Sequence, residues 1–207
     1  MTTAEPLAVA SARRRDSRAA ARVLAAAFLD DPIAGAIGPR NRTHRRLVGP
    51  LSFGGIVAAS RRHGGSVVVA RRGDAVLGAS IAFDPGRWPL TDGAVVYELA
   101  WVLAAGPAPV RRAIAFDRAV RAAHVEHEHM YLWFLGVDPA AQGTGVGRAL
   151  LAAVHERAAA HGVPTYLETG TMENVSWYAS AGYELIGEMT LPHGAPLWRM
   201  ERPAASR

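Results

Sequence analysis

The stretch Tyr131–Arg148, YLWFLGVDPAAQGTGVGR, decides the reading of this chain. An apolar run from Tyr131 to Val137 ends at Asp138-Pro139. Gln142, Gly143, Gly145 and Gly147 follow, and a long Ala/Leu pattern begins directly after them. That succession predicts a strand, a turn, a glycine-rich loop and a helix. Glycines at a helix start let backbone N–H groups close around an anion, and the helix dipole adds a favourable field there. A phosphate-bearing ligand is therefore expected at the loop.

Three kinds of phosphate loop compete. A Walker loop ends in Gly-Lys-Ser/Thr, and this chain has no lysine. A Rossmann loop turns tightly at the strand end, whereas Gly143 lies six positions beyond Val137. Glu168 sits at a suitable distance for the Rossmann acid. However, the third glycine of that motif, which permits close helix–strand packing, would fall on the much larger Arg148. The acetyl-CoA loop Q/R-x-x-G-x-G fits Gln142, Gly145 and Gly147 in register.

The match continues downstream: Thr165–Glu168 (TYLE), Glu173-Asn174, Trp177-Tyr178, Ala181-Gly182-Tyr183 and the tail Leu191–Glu201 (LPHGAPLWRME). On these residues the chain resembles the GNAT N-acetyltransferase superfamily, with a layout most similar to the branch that includes puromycin N-acetyltransferase. The resemblance is specific over about Met130–Glu201 and looser over Leu7–Phe83. It implies an α/β GNAT fold: a central mixed, mostly antiparallel sheet of six to seven strands, flanked by helices and splayed at an acetyl-CoA site. It implies transfer of acetyl from acetyl-CoA, as co-substrate, to an amine.

Carried over residue by residue, the backbone of Leu135, Gly136 and Val137 would hold the pantetheine arm and point an N–H at the thioester oxygen. The loop Gln142, Gly143, Thr144, Gly145, Val146, Gly147 and Arg148 would hold the pyrophosphate. Asn174 would contact pantetheine or order its turn, and Tyr178 would return a proton to the departing thiolate. A phenol of pKa about 10 is protonated at neutral pH, which suits that role. Many members place a basic glutamate eleven residues before the loop glutamine, and Tyr131 stands there. Glu98, His129, Glu168 and ordered water are the alternatives. Glu98 is preferred, because Tyr97 and Trp101 beside it could raise its pKa and the puromycin-type branch has a glutamate at a similar place. Glu168 is expected to orient the loop or accept a structural hydrogen bond. Asp30 and Asp31 close the first helix where the family builds its acceptor pocket, with Trp88, Trp177 and His193 as further lining. Carboxylates plus aromatics suit a cationic amine with a hydrophobic body. Asp-Pro is also a plain helix stop.

At 207 residues, half of them hydrophobic, a single N-acetyltransferase domain over 1–207 is expected. The chain has no cysteine, so no disulfide, thiolate metal site or cysteine nucleophile is available. All 23 strongly basic residues are arginine and the formal net charge is +5. They are spread along the chain without a nucleic-acid signature and read as a solvated face that also suits CoA phosphates. No run approaches the roughly 20 apolar residues of a membrane span, and a cytoplasmic location is expected. His124, His127 and His129 with Glu126 and Glu128 have the composition of an ordinary polar linker, and no metal is expected. A small-molecule amine is the leading acceptor. A protein or peptide acetyltransferase and a non-catalytic acyl-CoA-binding regulatory domain are the alternatives, and the oligomeric state, a homodimer among the outcomes, stays open.

Local signals predict the elements. Strands are expected at Leu7–Ser11, Ser66–Arg71, Ala75–Phe83, Met130–Val137, Val163–Thr169, Tyr183–Met189 and Pro196–Glu201. Helices are expected from a cap at Asp16 to about Leu29, over Asn41–Arg62 with breaks or kinks at Gly49-Pro50 and Gly54-Gly55, over Pro109–Ala123, over Gly145–His161 and over Asn174–Ser180. Ala94–Ala104 is ambiguous between helix and strand.

Overall fold

A computed structural model describes residues 5–88, 105–192 and 194–204. Glu98, His193 and the Ala94–Ala104 stretch lie outside the described residues.

The chain begins with β1 (Leu7–Ser11), a single 3-10 turn at Arg14–Asp16, and the helices α1 (Ser17–Ala27), α2 (Pro32–Ile37) and α3 (Arg42–Arg62). The hairpin β2 (Ser66–Arg72) and β3 (Ala75–Phe83) follows, turning at Gly73-Asp74 with Gly73 at φ 58°. Then come α4 (Pro107–Ala123), β4 (Met130–Val137), α5 (Val146–His161), β5 (Thr165–Thr169), α6 (Met172–Ala179), β6 (Glu184–Thr190) and β7 (Pro196–Arg202).

The strands form one seven-stranded sheet in the order β1-β2-β3-β4-β5-β7-β6. Among the described residues β4 and β5 are the one parallel pair, and every other pairing is antiparallel. Strand periodicity sorts the side chains into two layers. Val67, Val69, Ile81 and Phe83 join Leu24 of α1 and Val57 of α3 in one core. Val68 and Ala70 pack with Val146 and Leu150 of α5 on the other face. Farther along α5, Leu151, Val154 and Ala158 pack with Met130, Leu132 and Leu167.

Two local expectations are corrected. Asp16 precedes α1 but its carboxylate does not cap it. It accepts instead from the Arg13 N–H at 2.7 Å and pairs with Arg71 of β2 at 2.7 Å, tying the helix start to the sheet. And α3 runs unbroken through Gly49-Pro50 and Gly54-Gly55. Tertiary packing overrides propensity here: α3 lies so close to α1 that a Cβ on Gly49 would stand 3.2 Å from the Ala25 Cβ. Asn41 caps its start through the His44 N–H at 3.0 Å.

Candidate active-site cleft

The site originates in a pairing that stops. β4 pairs with β3 from Phe83↔Tyr131 to Gly78↔Val137. Toward β5 its partners are Thr165 for Met130 and Tyr166 for Tyr131, and the two strands then part, while β5 stays paired with β7 to Thr169. A bulge contributes to the parting. Ile81 opposes Phe134 and Ala82 opposes Leu132, so Trp133 is the extra residue. An extra residue bends a strand and increases its local twist. Beyond Tyr131 the β5-facing edge of β4 therefore carries peptide groups without a strand partner, and such groups need water or a ligand.

The parted strands open onto a cavity of about 700 Å³. Trp133, Phe134 and Leu135 of β4 line it, with Glu168 and Thr169 of β5, Gly170 behind them, and Asn174 and Tyr178 of α6. Gly170 has no room for a side chain, since a Cβ would stand 2.6 Å from Ile33 of α2.

The glycine loop lies where β4 ends. Asp138 starts it by accepting from the Ala140 N–H at 2.9 Å, and the Thr144 hydroxyl donates to the Ala141 carbonyl at 2.6 Å. Gly143 and Gly145 sit at φ 74° and 87° with open space where a Cβ would be. Their requirement is conformational. Gly147 is different, because a Cβ there would stand 3.3 Å from Trp177 of α6. No side chain caps α5 at Gly145, so the N–H groups of its first turn are free to meet an anion. Arg148 lies over the Trp177 ring at 4.7 Å and donates to the Ser180 hydroxyl, holding its charge beside the loop.

In α6, Thr171 caps the helix through the Asn174 N–H at 3.2 Å. That places Asn174, exposed, at the cleft edge and Tyr178, buried, one turn deeper on the cleft wall. Burial pushes the Tyr178 phenol pKa above its ordinary value, and its hydroxyl has no hydrogen-bond partner among the described residues.

The other end of the cavity is apolar. Phe28, Phe53 and Phe134 stack edge and tilt with centroids 5.3 to 5.7 Å apart, joined by Ile37, Val48 and Phe116. Asp31 lines this chamber and accepts from the Ala34 N–H at 2.9 Å as the cap of α2. Burial raises its pKa against the opposing pull of that N–H. Asp30, next to it, turns outward into an exposed ion pair with Arg42 at 2.6 Å and does not line the cavity. Trp177 packs on the glycine loop rather than in the chamber.

A polar cluster forms the wall between this cavity and a smaller one of about 170 Å³. Tyr131 donates its hydroxyl proton to Glu168 Oε2 at 2.7 Å, and His124 Nδ1 lies 3.4 Å from Glu168 Oε1. His124 Nε2 lies 3.0 Å from His129 Nε2, and His129 Nδ1 lies 2.7 Å from the His127 carbonyl. Trp88 stacks on His124, 4.2 Å between ring centroids. Burial lowers the His129 pKa, helped by the neighbouring His124 and His127. Burial first, and the Glu168 charge second, push the Tyr131 pKa far up. Among the described residues no group of three or more His, Cys, Asp or Glu is arranged to hold a metal ion, and no described helix is long and apolar enough to cross a membrane. Sequence reasoning reached neither the aromatic trio nor the His124 contact. The available signal was Tyr131 itself, a phenol standing where the resemblance implied a carboxylate.

Residues 97–185 match the family model for an Acetyltransferase (GNAT) domain. Solved structures with the same fold include three proteins whose descriptions name an acetyltransferase. One is a Corynebacterium glutamicum protein described as histone acetyltransferase HPA2 and related acetyltransferase, with 23% identity, 97% of this chain and 98% of that one covered, and a TM-score of 0.68. Another is a putative acetyltransferase from Salmonella typhimurium with its cofactor acetyl-CoA, at 18% identity, 97% and 95% coverage and a TM-score of 0.59. The third is the ribosomal-protein-S18-alanine N-acetyltransferase of Escherichia coli, at 14%, 98% and 96%, and 0.57. The structural likeness carries the fold. The family-model match covers residues 97–185.

Proposed function

We propose, from a chain that carries a GNAT acetyltransferase domain over residues 97–185 and the GNAT fold, that the protein moves an acetyl group from acetyl-CoA directly to the primary amine of a small molecule. The observation that carries this reading is the parting of β4 from β5 after Tyr131, with the uncapped start of α5 following the end of β4 and Tyr178 lining the cavity between the strands.

The residues suit acetyl-CoA. Its diphosphate would meet the N–H groups of Gln142–Arg148, with the Arg148 charge beside them. Its pantetheine arm would take the unpaired backbone edge at Leu135, Gly136 and Val137, as an added strand does, with Asn174 at its margin. When bound, acetyl-CoA supplies an acetyl group activated as a thioester. An N–H of that same edge would polarise its carbonyl. Tyr178, held protonated by burial, would hand a proton to the leaving sulfur, whose own proton affinity rises in the same dry cleft.

The acceptor chamber supports a small molecule with an apolar body and a cationic end. Phe28, Phe53 and Phe134 would take the body, and Asp31, Asp117 and Glu168 are the carboxylates lining the cavity. The sequence layout supports the puromycin-type branch. A cytoplasmic location belongs to the same proposal.

Thiol release from acetyl-CoA tests it, and a chain without cysteine gives no background with a thiol reagent. Turnover of arylalkylamines such as phenethylamine above that of lysine peptides is the expected result. Turnover of peptides alone would move the reading to a protein acetyltransferase. Calorimetric binding of acetyl-CoA without turnover of any amine would move it to a regulatory domain.

A further inference from the structure

Glu168 and the two histidines beyond it form a contact chain that crosses from one cavity to the other. Glu168 lines the large cavity, His124 and His129 line the small one, and Tyr131 and Trp88 touch both. The side chains of His124 and Glu168 are only 11% and 8% exposed.

The hydrogen positions in this chain are constrained by chemistry. A backbone carbonyl only accepts, so His129 Nδ1, 2.7 Å from the His127 oxygen, carries the proton. In a neutral His129 ring Nε2 is then a bare acceptor, and the proton in its 3.0 Å contact comes from His124 Nε2. A neutral His124 protonated there has a lone pair at Nδ1, and Nδ1 faces a Glu168 oxygen at 3.4 Å. Two lone pairs cannot bond. The contact therefore has room for one additional proton, which Glu168 would hold as an acid or His124 as an imidazolium, and without it Glu168 is a carboxylate and His124 Nδ1 a bare acceptor. Tyr131 cannot supply it, since its hydroxyl proton is already given to the other Glu168 oxygen.

We infer that Glu168 is the general base of the proposed transfer, that His124 takes the proton from it, and that His129 is a positioning residue fixing the His124 tautomer. The inference rests on the acetyl-transfer reading. An N–H bond of the acceptor ammonium breaks and an O–H bond forms on Glu168, which leaves the amine lone pair free to attack. The Glu168 O–H then breaks as an N–H forms at His124 Nδ1. The histidine pair releases one proton to water in the small cavity, and Glu168 returns to its carboxylate. The charge chemistry around it supports the direction. Burial lowers the His129 pKa and so disfavours a charge there. The groups facing the chain are the Tyr131 and Tyr166 phenols, both pushed up by burial and by Glu168, Asp117 of α4 near Tyr131, and Arg199 of β7, paired in register with Glu168. His127 is engaged separately by Glu201 at 2.6 Å. Tyr131 thus occupies the position where the resemblance implied a base and orients one on the next strand.

Two measurements on the full chain test this. Long-range proton–nitrogen NMR of the ligand-free protein should find His129 protonated at Nδ1 with Nε2 bare, and His124 protonated at Nε2. A proton on His129 Nε2 in the neutral ring would overturn the arrangement. Glu168→Gln preserves an oxygen to accept from Tyr131 and an amide to donate to His124, so it keeps the fold. With acetyl-CoA and phenethylamine, its kcat should fall by about a hundredfold or more, with the KM for acetyl-CoA unmoved. His124→Gly should lose a smaller factor and regain it with added imidazole, which a merely structural histidine would not do. An active wild type whose Glu168→Gln variant keeps full kcat sinks the base alone. A wild type inactive toward every amine sinks the transfer reading and this base with it.

Discussion

The two edges of β4 belong to one apolar strand and have opposite fates. Toward β3 its peptide groups are paired from Tyr131 to Val137 apart from the bulge at Trp133, and toward β5 the pairing ends at Tyr131. The closed edge fixes where α1 and α5 sit: Gly136 admits Leu24 and Ala27 of α1, and Gly78 on β3 admits Val146 and Leu150 of α5. The open edge leaves backbone donors and acceptors facing a cavity whose β4 side chains beyond Tyr131 are apolar or aromatic. The candidate site is thus made by main chain that lacks a partner, on a scaffold that side chains hold shut. Damage to the open edge should cost chemistry and leave stability intact. Damage to the closed edge should cost stability, and function only through it.

Tyr178→Phe is the strongest test of that split. The phenol faces the open edge and its hydroxyl has no partner among the described residues, so its removal should cut kcat by about a hundredfold or more. Calorimetric affinity for acetyl-CoA and the Tm should stay at wild-type values. A parallel drop in Tm would mean that the hydroxyl holds the fold, and the division between the edges would fail. Next in size is Gly78→Val. Its Cβ would stand 2.7 Å from Val146 and 2.8 Å from Leu150, and overpacking of this kind costs about 1–3 kcal/mol. Thermal unfolding should shift down accordingly. Because α5 carries the glycine loop at its start, acetyl-CoA affinity should fall in step.

The sequence carried the closed side well and the open side in part. Leu7–Ser11, Ala75–Phe83 and Met130–Val137 fall on strands with the expected bounds, since alternation and turn residues are local signals. The glycine loop was legible for the same reason: Gly145 has the left-handed backbone that its residue type advertises. The continuity of α3 was not legible, because it is secured by the close approach of Ala25 to Gly49, a contact between residues far apart in the chain. Nor was the bulge at Trp133, which no residue preference marks. The Glu168–His124 contact joins β5 to the segment before β4, and alternating His and Glu in that segment read as a solvated linker. Asp30 and Asp31 read alike, although one is at the surface and the other lines the cavity.

A pH dependence sharpens the comparison at its hinge, the body of α5. His155 lies 3.2 Å from the Tyr183 hydroxyl, and burial, with Arg202 second, lowers its pKa from 6.5 to about 4. Between those values the unfolded chain binds more protons at this site than the folded chain. Stability from this group is therefore complete above pH 6.5 and declines as pH falls toward 4. His155→Gln should flatten that part of the Tm-versus-pH curve. An unchanged slope would place the acid sensitivity elsewhere.

The smallest effect should come from Asp30→Asn. Its partner is Arg42, and both side chains are more than half exposed, at 64% and 58%. A surface ion pair of this kind is screened by solvent and contributes little. Tm should barely move, and the KM for phenethylamine should not move at all, because Asp30 does not line the cavity. Asp31→Asn is the contrast one residue away. Asparagine caps a helix as well as aspartate does, so α2 should persist. Removing a carboxylate whose pKa is raised by burial relieves a cost of ionisation, so Tm should hold or rise. The KM for a cationic amine should nevertheless rise several-fold, because one of the carboxylates lining the cavity is gone. Equal KM values for the two variants would detach Asp31 from the acceptor and confine the open edge's role to the acetyl donor.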